Sequence, residues 1–252
     1  MGAIGKSDQP IVYFEEEGRG NLARVVSVIK RTMVRRPDLR KVIFFTAFGE
    51  GPALAYNRLQ GLDATIIAVT FPLTFRAKHG DRVFAPCIEE RAKQYFNDVG
   101  IKVLTGRLPW DESDGCDSHN REIAVIKKSL SLFGGSFPLC VQAVLQACDM
   151  GAIAIGERVI AATGDCAAVV TATATQYVFS KDFGLSINEI LCKPRNPTLL
   201  YAWAKRAKSP DNVFELGPGN DDQKASSDDA STAPPLPFSQ SQSAAPAPKR
   251  KP

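Results

Sequence analysis

The chain has 252 residues, of which 44% are hydrophobic and 23% charged, and 31 basic against 27 acidic side chains leave a net charge of +4. That composition supports an ordinary globular core and excludes wholesale disorder. No apolar run approaches the roughly 18 residues of a membrane helix, and so mild a charge does not by itself imply nucleic acid.

Residues 1–9 read as a flexible lead without the apolar segment of a signal peptide. Gly2 invites comparison with an acylation signal, but Lys6 stands where Ser or Thr is needed. Gly2-Ala3-Ile4-Gly5-Lys6-Ser7 imitates a phosphate loop, yet it is two residues short between its glycines and follows no strand.

Residues 11–14 form a short apolar run, read as a buried strand. A turn at Gly18-Arg19-Gly20 follows. Asn21 is placed to cap a helix carrying Leu22, Val25, Val26 and Ile29 at helical spacing and closing at Pro37. Residues 41–46 (KVIFFT) predict a fully buried strand, followed by Gly49-Glu50-Gly51-Pro52, with Pro52 suited to the first position of a helix over 52–59. Residues 64–70 (ATIIAVT) predict a third strand, 89–99 a helix and 101–105 a fourth strand. After a polar loop at 110–118, helices are predicted over 121–133 and 138–149 and strands over 158–162, 167–173 and 187–192. A short basic helix is predicted over 199–208, within an extension reaching residue 216.

From residue 217 onward the composition changes. That stretch holds seven of the 17 prolines, one aromatic residue (Phe238), four acids and four bases, and is otherwise rich in Ser, Ala, Pro and Gln. It cannot bury enough apolar surface to offset the entropy of ordering, so a disordered tail is expected. Residues 10–198 are therefore the predicted domain.

Continuously apolar strands alternating with helices predict a mostly parallel sheet covered on both faces, and the strand-strand close suggests an antiparallel edge strand. Ligands of such sheets bind beyond the carboxyl ends of the strands. Four loops lie there: 15–21, 47–52, 71–75 and 163–166. In the second, Gly49 and Gly51 would let backbone approach a ligand at a helix N-terminus, and Thr46 adds a hydroxyl. Pro52 removes one amide and Glu50 would repel phosphate if turned inward. Arg19 is the nearest base, with Arg76, Lys78 and His79 a second basic source. Of the acids 15–17, Glu15 follows the strand end and is placed to face the cleft.

Six cysteines (87, 116, 140, 148, 166, 192) form no CxxC pair. Reduced, mostly buried thiols and a cytoplasmic compartment are expected. Cys116, Asp117 and His119 lie close together in a polar loop; two histidines in all do not make a zinc pattern, and no metal is expected. No GxSxG elbow or readable triad occurs.

The order of motifs resembles the free-standing proteins related to the C-terminal α/β domain of pyruvate kinase. The resemblance spans about residues 11–196. It rests on Tyr13-Phe14-Glu15 with Gly18 and Asn21, Thr46-Ala47-Phe48-Gly49-Glu50, Val69-Thr70-Phe71 and Phe133-Gly134. It continues through Ala147-Cys148-Asp149-Met150-Gly151, Gly156-Glu157-Arg158-Val159-Ile160-Ala161 and Glu189-Ile190-Leu191-Cys192-Lys193-Pro194-Arg195. It implies a three-layer α/β/α fold around a mostly parallel five-stranded sheet. It also implies a phosphate-bearing ligand such as FMN, and no kinase activity, because the catalytic barrel is missing. Carried over, the binding residues are Glu15, Gly18, Asn21, Thr46, Gly49, Gly51, Thr70, Thr163 and Gly164. Three departures stand out: Gly51 replaces a Thr, the loop after Thr163-Gly164 reads Asp165-Cys166-Ala167 where a basic Gly-rich stretch is usual, and Phe71-Pro72 replaces an aromatic/His pair. Each removes a donor or positive charge. A flavin-dependent oxidoreductase and a non-catalytic scaffold remain alternatives. The pattern is compatible with a homo-oligomer and gives no positive sign of a nucleic-acid or membrane partner.

Overall fold

In a computed structural model, residues 10–79, 82–110 and 121–197 are described. In chain order the elements are β1 (Val12–Phe14), α1 (Leu22–Arg35), β2 (Lys41–Phe45), α2 (Glu50–Arg58), β3 (Thr65–Thr70), β4 (Ala77–His79), β5 (Arg82–Phe84), α3 (Glu90–Asp98), β6 (Lys102–Thr105), α4 (Arg121–Ser131), α5 (Phe137–Asp149), β7 (Arg158–Ala162), β8 (Ala167–Thr171) and β9 (Ser186–Pro194). The basic helix predicted from residue 199, the tail and the Cys116–Asp117–His119 cluster lie outside the described residues.

The fold is α/β. Its main sheet has the order β1-β9-β8-β7-β2-β3-β6. All neighbours pair in parallel except β8, which is antiparallel to both β7 and β9. Each of the seven apolar runs has become a strand, so the sheet is larger than the five strands implied by the resemblance. The antiparallel strand is also interior rather than at the edge. β9 returns to the parallel sense after β8, and β1 then covers its outer side, which leaves β1 and β6 as the edges. The β4–β5 hairpin was not anticipated: its residues mix charge with isolated apolar positions and show no sustained alternation.

Strand parity sorts the side chains into two layers. Ile43, Phe45, Ile67, Val69, Val159, Ala161, Ala168 and Val170 form one core with α5. This helix is buried nearly all round, which is why its sequence is apolar without a clean stripe. Val42, Phe44, Ile66, Ala68 and Ile160 face the other way and are equally buried. There α2 lies so close to β2 that a Cβ on Gly51 would stand 2.9 Å from the Phe44 ring. Next to it, Phe96 of α3 packs beneath Gly49.

Two local expectations are corrected. α2 begins at Glu50, so Pro52 is its third residue, still within the first turn where a missing N–H costs nothing. Asn21 precedes α1 but its side chain does not cap it. Its amide donates back to the carbonyls of Glu16 (2.8 Å) and Gly18 (3.2 Å), closing the preceding loop on itself.

Candidate functional site

Every parallel strand of the sheet delivers its carboxyl end to one edge. There the β1–α1, β2–α2 and β7–β8 loops meet a fourth segment, the Gly134-Gly135-Ser136 turn that opens α5. Ser136 occupies the N-cap position of α5. A Cβ on Gly134 would fall 2.6 Å from the Cys166 sulfur, so only glycine fits the turn there. Gly164 is similarly tight, its missing Cβ pointing 3.1 Å from the Arg19 Cα.

Asp165 lies at the centre of this meeting point and is 4% exposed. The Gly18 amide donates to its Oδ2 at 2.7 Å, and the Ser136 hydroxyl donates to its Oδ1. Because Ser136 has one hydrogen, the 2.6 Å contact between its oxygen and Thr163 Oγ1 runs with Thr163 as donor. Thr163 in turn accepts the Cys166 amide at 3.2 Å. The result is a chain of hydrogen bonds ending on a buried carboxylate at the positive end of α5. Glu17 adds a second acid to the same helix start, its Oε1 accepting the Gly135 amide at 2.8 Å.

A separate cluster forms at the start of α2. Gly49 adopts a left-handed conformation (φ 98°), and its amide donates to Thr46 Oγ1 at 2.9 Å. The Thr46 hydroxyl donates to Glu50 Oε2 at 3.1 Å. The Arg19 guanidinium lies 3.9 Å from Glu50 Oε1, a loose pair with side chains 37% and 17% exposed. The Glu50 carboxylate thus stands among a hydroxyl, a guanidinium and a helix N-terminus. At the end of β3, whose Val69 carbonyl accepts the Thr46 amide, the Thr70 hydroxyl is fully buried and has no hydrogen-bond partner among the described residues.

The candidate residues fall into three groups. Gly18, Thr163 and Gly164 meet around Asp165. Thr46, Gly49 and Thr70 lie by the start of α2 with Gly51, whose role is close packing on Phe44. Glu15 and Asn21 do not join either group. Glu15 is exposed and accepts from Arg195 Nε at 3.3 Å, pointing away from the cleft. The acid that turns inward is Glu17. The 71–75 loop contributes packing instead of polar groups: Phe71 stacks on Phe75 at 4.5 Å and meets Phe45 edge-on at 4.9 Å. Arg76 donates twice to its own loop, to the carbonyls of Leu73 and Phe75. Glu17, Gly135 and Ser136 were absent from the predicted site. The Gly-Gly-Ser run directly before Phe137-Pro138 was the available signal, since it marks a helix start on the carboxyl edge.

The thiols nearby are chemically quiet. Burial pushes Cys192 up to about 12 and also raises Cys140 and Cys166, with the Asp165 charge adding to the effect. A protonated thiol is a poor nucleophile and metal ligand. Among the described residues, no group of His, Cys, Asp and Glu could hold a metal ion. The sequence matches no known protein-family model.

Proposed function

We propose that this protein binds a phosphate-bearing small molecule, FMN among the candidates, at the carboxyl edge of its sheet. We place it with the free-standing relatives of the pyruvate kinase C-terminal domain and assign it no kinase activity. The motif order from Tyr13 to Arg195 supports the kinship. The observation that carries the binding site is the Glu50 carboxylate held between the Thr46 hydroxyl and Arg19. An anion already sits there, and it belongs to a side chain that can leave.

In this reading an incoming phosphate displaces Glu50. It takes over the Thr46 hydroxyl, the positive end of α2 and the charge of Arg19. Each charge-assisted hydrogen bond is worth about 1.5–3 kcal/mol, and the repulsion of the displaced acid offsets part of that gain. Affinity is therefore modest. The five described cysteines are free, which supports a reducing, cytoplasmic compartment.

Purified full-length protein is examined for flavin absorption, then by thermal shift with FMN and sugar phosphates. A rise in the unfolding midpoint with phosphate-bearing compounds, absent with the unphosphorylated analogues, is expected. Colourless protein that no phosphate compound stabilises would sink the proposal.

A further inference from the structure

Two helix starts at the carboxyl edge each carry one of the chain's own acids, and they differ in how firmly that acid is held. At the start of α2, Glu50 is partly exposed and paired loosely with Arg19. At the start of α5, Asp165 is buried and fixed by donors from two other segments, Gly18 and Ser136, with Thr163 behind them. Arg19 connects the two places: its backbone packs on Gly164 and its guanidinium reaches toward Glu50.

We infer that Asp165 is a specificity-determining residue, a resident anion that closes the second place, so that the site takes a ligand with a single phosphate rather than two. This rests on the binding role proposed above and narrows its ligand class. A second phosphate near Gly18 and Ser136 would have to expel a carboxylate that is out of reach of water. It would also have to release a helix-start hydroxyl already committed to that carboxylate. A lone phosphate at Arg19 and Thr46 meets no such barrier. Replacing Asp165 by alanine takes away the acceptor shared by the Gly18 amide and the Ser136 hydroxyl and opens the place to an anion from outside.

The test compares full-length wild type, Asp165→Ala and Asp165→Ser by thermal shift. The probes are sodium formate, a ribose monophosphate and a ribulose bisphosphate. In the wild type the two sugar phosphates should bind within about twofold of each other, and formate should do nothing beyond matched chloride. In Asp165→Ala, formate should restore about half of the lost midpoint. The same variant should prefer the bisphosphate by about tenfold. If alanine prevents folding, Asp165→Ser, which shortens the side chain, drops the charge and keeps a polar group at the position, should show the same bisphosphate preference.

A wild type that already prefers the bisphosphate tenfold overturns the inference, as does a variant that folds but gains no such preference. Failure of every protein to respond to either sugar phosphate overturns the binding role itself. The formate response then decides alone whether Asp165 fills an anion place, and its absence rejects that too.

Discussion

The two ends of the main sheet's strands differ in the partners that their best-held acids take. At the amino edge, acids pair with bases. Lys41 meets Glu157 at 2.8 Å, Arg158 meets Asp38 at 3.0 Å, and Arg36 bridges Asp38 and Glu189. At the carboxyl edge, Asp165 and Glu17 point at backbone amides and hydroxyls from helix starts and loops. Paired surface charges adjust stability slightly, because solvent screens both the pair and its loss. A carboxylate set against unpaired amides instead does the work of a bound anion. The proposed anion binding at the carboxyl edge rests on that difference.

Asp165→Ala should produce the largest loss. It removes the carboxylate that accepts from the part-buried Gly18 amide and Ser136 hydroxyl, hydrogen bonds to a charged group worth about 1.5–3 kcal/mol each, and a total near 3 kcal/mol is expected in urea unfolding. A loss below 1 kcal/mol would place Asp165 with the screened pairs of the other edge. Gly49→Ala comes next, at about 2 kcal/mol, because the new Cβ must accept a left-handed backbone and a contact 2.9 Å from Phe96. Glu157→Gln at the amino edge should cost less than about 1 kcal/mol, and the cost should shrink in high salt.

The smallest effect concerns pH. Burial works against ionised Asp38, but bonds from Arg36 and the nearby charges of Arg36 and Arg158 outweigh it and hold the carboxyl below its ordinary value. A group lowered on folding stabilises the fold above its unfolded value and loses that contribution as pH falls through the folded one. Unfolding midpoints followed downward from neutral pH should therefore fall in the acid range. Asp38→Asn should lower the neutral-pH midpoint slightly, and the two proteins should converge as pH falls through the folded value.

Much of the fold was legible because the central strands are apolar at nearly every position, such as KVIFF in β2 or TIIAVT in β3. Strand sense was less so: nothing local to Ala167–Thr171 reveals that β9 will turn back and enclose it. The loops of the site were legible from Gly49, Gly51 and Thr163-Gly164. The orientation of the acids was not. Glu15 points to Arg195 and Glu17 to Gly135, contacts that span 180 and 118 residues. Asp165 could be read as an acid replacing a base, but its burial depends on Gly18 and Ser136, which only the folded chain brings together.

The displaceable acid is best tested by titrating inorganic phosphate into full-length wild type and Glu50→Gln by calorimetry. Removal of the competing charge should tighten phosphate binding about tenfold, with Thr46 and Arg19 left in place as donors. Equal affinity in the two proteins, or weaker binding in Glu50→Gln, would contradict a phosphate seat at the start of α2.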